Sequence, residues 1–313
     1  MSARPTLDEL FDRRAEYPDP DARARLARLV GLDDFKLRLT KMLAMLIHPA
    51  GLEAWASQHH KDARALTDLV KGRPPLIVLS GDVGCGKTAL AENIGDEVAR
   101  QEKLDVTLFP MSLATRGQGR VGEMTQLVTA AFDHVVDVAG KLKSPGGKSR
   151  GAVILLIDEA DALAQSREAS QMHHEDRAGV NAFIRGIDRI ANAQLPAAVI
   201  MCTNRIGALD PAVKRRAAEI LEFSRPSDEQ RRHILASNLG PLGFSEAEIS
   251  QLVLITGPRS ERAHGFTFSD ITQRLLPAMV LDSYPNSAIT PARSISIAQA
   301  MHPTPPFQER TAK

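Results

Sequence analysis

Leu76-Ile77-Val78-Leu79-Ser80 runs directly into Gly81-Asp82-Val83-Gly84-Cys85-Gly86-Lys87-Thr88. The first five residues read as a buried strand, and the eight that follow have the G-x-x-x-x-G-K-[ST] pattern of a phosphate loop. Glycines there let successive backbone N–H groups point inward at the α- and β-phosphates, Lys87 reaches the β- and γ-phosphates, and the Thr88 hydroxyl ligates Mg²⁺. Leu90, Ala91, Ile94 and Val98 recur at helical spacing beyond the loop, so a helix N-terminus adds its partial positive charge to the same anion. Strand, loop and helix in this order predict a site for ATP or a similar nucleotide.

A second apolar run, Val153-Ile154-Leu155-Leu156-Ile157, ends in Asp158-Glu159. A continuous apolar run is the pattern of a central parallel strand buried on both faces, and two carboxylates at its end serve no packing purpose. Ligands of open α/β sheets bind at the carboxyl ends of the strands. Asp158 is therefore expected to hold Mg²⁺, mostly through water, and Glu159 to orient or deprotonate the attacking water.

The 313 residues, 43% of them hydrophobic, suffice for one large α/β domain and a smaller appendage. A formal net charge of +1 gives no electrostatic footprint for DNA or RNA, so nucleic acid is not an expected partner. The two cysteines, Cys85 and Cys202, fall at predicted site or buried positions, which argues against a disulfide framework and fits a reducing cytoplasm. Cys85 sits where oxidation would make activity redox-sensitive, or merely fills a small-residue position. The start of the chain does not read as a signal peptide, and no apolar run is long enough to span a bilayer, so no membrane role is expected.

Along the chain, residues 1–21, with Pro18 and Pro20, read as a flexible lead-in. Residues 22–225 form the α/β domain: helical periodicity over 22–47, interrupted near Gly31, and over 52–70, then strands at 76–80, 106–109, 153–157, 197–203 and 219–223. Helices are expected at 123–138 and at 178–190, where Val180, Phe183, Ile184 and Ile187 share one face. Residues 226–301 read as a small helical domain, with periodicity at 228–239, 245–252 and 269–280. The tail 302–313, with Pro303, Pro305 and Pro306, is expected to be disordered or docked.

Phosphate loop, acidic strand tip, a polar residue at the next strand tip (Asn204) and the pair Arg215-Arg216 follow one another here as they do in AAA+ ATPases, and from about Leu29 to Leu276 the chain resembles that superfamily. The resemblance implies a parallel sheet flanked by helices with a C-terminal helical lid, and ATP and Mg²⁺ as cofactors. It makes Gly31-Leu32-Asp33-Asp34 the linker before the nucleotide site, Asn204 the sensor that helps position the lytic water, and Arg215 or Arg216 the finger that reaches the γ-phosphate held by a neighbouring subunit. A finger in trans is worth about 10³- to 10⁵-fold in turnover and implies a ring, expected to be a hexamer.

Three further stretches narrow the resemblance. Arg177 through Ile190, Val199-Ile200-Met201-Cys202-Thr203-Asn204 and Arg215-Arg216-Ala217-Ala218-Glu219-Ile220 are similar to the pachytene-checkpoint-type AAA+ remodellers, and the lean chain resembles their bacterial members associated with cyclic-oligonucleotide antiphage signalling. That implies an ATP-driven remodeller that opens a closed HORMA-domain protein, dissociates it from a nucleotidyltransferase and so switches signalling off. Departures from the family pattern are specific. Gly119-Arg120-Val121-Gly122-Glu123 lacks the usual pore aromatic, leaving Arg120 and Val121 to grip substrate; His173-His174 is either a second pore loop or a solvated pair; and the second-sensor position has no arginine, with Arg274 either its substitute or a solvent-exposed residue.

Rival readings are weaker on the residues. Asp158-Glu159-Ala160-Asp161 spells a DEAD box, but a helicase needs a second RecA-like domain that residues after Arg225 do not supply. No Asn-Lys-x-Asp segment marks a GTPase. A scaffold that hardly hydrolyses would not need Glu159, Asn204 and the arginine pair together. An AAA+ protein acting on nucleic acid, such as a helicase loader or transposition helper, is the alternative, with Arg116 and Arg120 as phosphate contacts.

Overall fold

A computed structural model describes residues 6–60, 62–113, 123–144, 149–162, 174–207, 209–260 and 262–307. Its sheet has six strands: β1 (Ala15–Tyr17), β2 (Leu76–Gly81), β3 (Val106–Ser112), β4 (Ala152–Asp158), β5 (Ala197–Thr203) and β6 (Ala217–Phe223), in the spatial order β1-β3-β4-β5-β2-β6. β3, β4, β5 and β2 pair in parallel. The continuous apolar runs seen in the sequence are those of β2, β4 and β5, whose interiors are buried on both faces. Parallel pairing sets their carboxyl ends along one edge, with Ser80 opposite Thr203 and Ser112 opposite Asp158.

β1 departs from the expected flexible lead-in. It pairs antiparallel with β3, Ala15 opposite Leu108 and Tyr17 opposite Val106. The charges and prolines of this segment dominate its composition, but its few apolar residues are spent on the core. Leu10 and Phe11 are buried, the Phe11 ring lies 4.9 Å from that of Phe109, and the buried Tyr17 hydroxyl donates to the Glu92 carbonyl. The periodic stretch 52–70 is also two helices, Pro49–His59 and Arg64–Lys71, rather than one. Helices Glu123–Leu142 and His174–Asn192 pack on each other, with Phe132 and Phe183 edge to face at 5.7 Å, over a core that includes Val128, Val135, Val153, Leu155 and Ile187.

The chain divides into two compact units. The first comprises Met1–Arg28, Asp34–Ser80 and Thr88–Glu222, and carries the sheet. The second comprises Leu29–Asp33, Gly81–Lys87 and Phe223–Lys313, three segments far apart in sequence. Its core gathers Ile234, Leu235, Leu252, Phe266, Ile271, Leu275 and Met279, with Val30 packed against them.

Helix Asp228–Leu239 opens with a reciprocal capping box between Ser227 and Gln230, and Glu246–Thr256 with one between Ser245 and Glu248. A π-helical segment, Asp270–Leu275, continues into helix Leu276–Ser283. Helix Pro291–Ala300 was not anticipated, although Thr290 followed by proline at the first helical position is a start signal. The tail is docked over the residues described: Pro303 is buried, and Thr304 and Phe307 are hydrogen-bonded within the second unit.

Candidate functional site

The phosphate-loop segment is shaped by conformations only glycine holds without strain. Gly81 has φ 137° and a Cβ there would run into the Phe223 carbonyl oxygen; Gly84 has φ 74° and its Cβ would press on the Thr267 hydroxyl at 2.8 Å. Within this loop the Lys87 ammonium donates to the Gly81 and Asp82 carbonyls, each at 2.8 Å. A 16-residue helix, Lys87–Glu102, starts at this lysine. Positive-φ glycines, a curled lysine and a helix N-terminus suit a polyphosphate.

Cys85 is fully buried in the loop, and burial, reinforced by the Asp82 charge, pushes its thiol up to about 11. The small-residue reading of that position therefore fits better than a redox-sensitive one. Leu32, also buried, lies against Gly86, so the 29–33 linker and the loop belong to the same unit.

Thr88, next in the chain, opens the corresponding part of the first unit. Its hydroxyl donates to Asp158 Oδ1 at 3.2 Å. Two hard oxygen donors at one point suit Mg²⁺, which keeps most of its waters and takes one or two protein oxygens. Glu159 follows Asp158 with φ 51°, a left-handed conformation that costs a residue other than glycine about 1 kcal/mol or more. Its carboxylate is exposed and accepts from the Ser112 hydroxyl at 2.7 Å, while its N–H donates to Asp158 Oδ1 at 2.9 Å.

Asp161 was passed over in the sequence as the last letter of a DEAD box. It accepts from the Thr203 hydroxyl at 2.7 Å and from the Asn204 backbone N–H at 2.9 Å, with the Asn204 amide at 3.4 Å. It thereby fixes the orientation of Asn204 at the tip of β5. Ser112 was missed as well. The register that sets Ser112 opposite Asp158 brings its hydroxyl to Glu159.

The two arginines are separated by their partners. Arg216 makes a bidentate pair with Asp188, 2.7 and 2.9 Å, which holds its proton more firmly than usual, and it also donates to the Ala212 carbonyl. Arg215, after a short helix capped by Asp210, is exposed and has no ion pair among the described residues. Arg274 donates to Asp270 at 2.6 Å and lies 3.4 Å from the Thr304 hydroxyl. Arg116, Arg120, Val121 and His173 lie outside the described residues, as does the side chain of His174.

A family model described as "ATPase family associated with various cellular activities (AAA)" matches residues 77–225. CD-NTase-associated protein 6 of Escherichia coli (strain MS 115-1) is 63% identical over 99% of this chain and 100% of its own length. Among solved structures, a chain of the E. coli MS115-1 HORMA:CdnC:Trip13 complex superposes with a TM-score of 0.89 at 62% identity, covering 98% of this chain and all of that one. Rhizobiales Trip13 superposes with a TM-score of 0.74 at 55% identity over 95% and 100%. No helix among the described residues is long and apolar enough to cross a membrane. The chain belongs to the AAA ATPase family, and within it to the group of the CD-NTase-associated protein 6 and Trip13-like proteins.

Proposed function

We propose that this chain is an ATP-hydrolysing remodeller that works as a hexameric ring, opens a closed HORMA-domain protein and releases it from a nucleotidyltransferase of the CD-NTase type, ending the signal that enzyme sends in antiphage defence. The observation that carries the reading is likeness over nearly the whole of both chains to a chain of a HORMA:CdnC:Trip13 complex, beside the likeness to Rhizobiales Trip13. Identity at this level extends through the helical C-terminal region as well as the ATPase core, so what is alike is the whole machine and not a nucleotide-binding module alone.

In the proposed reaction a water oxygen bonds to the γ-phosphorus while the bridging bond to the β-phosphate breaks, giving ADP and phosphate. Lys87 exchanges its loop carbonyls for β- and γ-phosphate oxygens. Thr88 and Asp158 would hold Mg²⁺, which when bound neutralises charge on those oxygens. Glu159, steadied by Ser112, takes the proton of the attacking water. Asn204, held by Asp161, positions that water. Arg215 is the better candidate for the finger offered to a neighbouring subunit, because Arg216 is already committed to Asp188.

Steady-state ATP turnover, with and without a closed HORMA protein carrying its peptide and with and without single-stranded DNA, tests the reading. Stimulation by the HORMA protein alone, lost in Glu159→Gln, is the expected outcome. Stimulation by DNA alone would move the function to nucleic acid.

A further inference from the structure

The last residues described, Met301 to Phe307, are not a free tail. The buried Asp270 accepts from the Thr267 N–H at 3.0 Å, the Thr304 N–H at 2.9 Å, the Thr304 hydroxyl at 2.7 Å and Arg274 at 2.6 Å. Three residues on, the Phe307 N–H donates to Asp82 Oδ1 at 3.0 Å. Asp82, the second residue of the phosphate loop, also accepts from its neighbour Val83 at 2.9 Å and from Arg225 Nε at 2.7 Å, and Arg225 in turn donates to the Gly265 carbonyl at 2.6 Å. A parallel link runs from the Ser269 N–H to the Gly84 carbonyl at 3.1 Å. The bonds form a closed circuit inside one compact unit: Gly84 to Ser269, the adjacent Asp270 to Thr304, Phe307 to Asp82, and back along the loop.

Pro305 and Pro306 fill the gap between the two contact points. Proline fixes φ and favours an extended backbone without internal hydrogen bonds. The spacer thus sets the reach from Asp270 to Asp82 and loses little entropy on docking.

We propose that residues Thr304 to Phe307 are a positioning strap that ties the phosphate loop to the helical lid, so that nucleotide affinity depends on the C-terminal segment through Asp82 and Asp270. This rests on the ATPase reading for its consequence, though not for its geometry. The strap does not touch the reacting atoms. It limits the ways the loop can move away from the conformation that receives phosphate, and it carries a change in the loop to the lid.

The experiment measures the Kd of a fluorescent ADP analogue and amide hydrogen exchange across 81–87 without nucleotide. Phe307→Pro removes the donating N–H together with the ring in an already proline-rich stretch, whereas Phe307→Ala removes the ring and keeps the N–H. Thr304→Val removes the hydroxyl, and Thr304→Ser restores it. Phe307→Pro and Thr304→Val should bind about threefold to tenfold more weakly, the worth of one hydrogen bond, with faster exchange in the loop. Phe307→Ala and Thr304→Ser should match the wild type.

Equal Kd and equal loop exchange in Phe307→Pro and Thr304→Val would overturn the strap. Should Phe307→Pro fail to fold, the Thr304 pair decides the question alone. A wild type that binds no nucleotide would overturn the ATPase reading, while the exchange measurement would still decide the strap.

Discussion

The Glu159 carboxylate at the strand tip and the carboxylates of the helical unit are treated in opposite ways by the fold. Glu159 is exposed, sits on a strained backbone and has a single hydroxyl partner among the described residues. Asp270 is fully buried and accepts from four donors; Asp82 is bound by Arg225 and two backbone N–H groups. A group with capacity left can exchange partners during a reaction, and a saturated group holds parts together. The same contrast runs through the arginine pair, with Arg215 exposed and Arg216 spent on Asp188.

The largest effect that would break this contrast lies with the arginines. If Arg215 is the finger of the proposed ring, Arg215→Ala is expected to lower turnover by about 10³-fold or more while leaving nucleotide binding and melting temperature in place. Arg216→Ala should lower stability by about 1 kcal/mol, since its pair with Asp188 is partly solvated, with a smaller loss of turnover. Steady-state kinetics at saturating ATP together with thermal melts separates the two. An Arg216→Ala enzyme with intact stability and no turnover would reverse the assignment.

Next in size is the loss of a saturated carboxylate. Asp270→Asn leaves donors facing an amide that cannot accept from all of them, which is expected to destabilise the helical unit by about 2–4 kcal/mol. The pH dependence has a definite sign. Burial works to raise the pKa of both Asp82 and Asp270, but the Phe307 N–H and Arg225 at the first, and the Thr267 and Thr304 donors with Arg274 at the second, outweigh it and hold both carboxyls below the usual range. Their contribution is therefore present in full above the unfolded-state value of about 3.9 and is lost as pH falls through the lower folded-state values. In that window the unfolded chain binds more protons, so stability rises with pH. Melting curves from pH 2 to 7 should show this slope in the wild type and less of it in Asp270→Asn; parallel curves would count against the saturated role.

The two regions also differ in how far the sequence disclosed them. The phosphate loop and the tip of β4 were legible because each requirement is local: glycines at the positive-φ turns, Lys87-Thr88 at the helix start, and an apolar run ending in two acids. β1 was not, since three residues at a sheet edge leave no periodicity and the segment is held by scattered contacts such as Phe11 on Phe109. Asp161 and Asn204 lie 43 residues apart, and Asp82 and Phe307 lie 225 apart. No spacing rule connects such pairs, so the orienting role of Asp161 and the docking of the tail appeared only with the fold. The boundaries of the helical region were better marked, because Ser227 with Gln230 and Ser245 with Glu248 are capping boxes readable within four residues.

The smallest expected effect sharpens the contrast from inside the phosphate loop. Cys85 lies where a nucleotide would bind, and a reactive thiol there would make the loop a redox sensor. Its position instead places it with the spent groups: no surface is exposed, and burial with the neighbouring Asp82 charge moves its thiol to about 11. At pH 7 only about one molecule in 10⁴ carries the thiolate that reacts with oxidants and maleimides. Treatment with N-ethylmaleimide at neutral pH should leave ATP turnover within about twofold of the untreated enzyme, and Cys85→Ser should do the same. Rapid labelling of Cys85 with loss of activity, prevented by bound nucleotide, would show that the loop opens far enough to expose it, and would move this cysteine to the group with capacity to react.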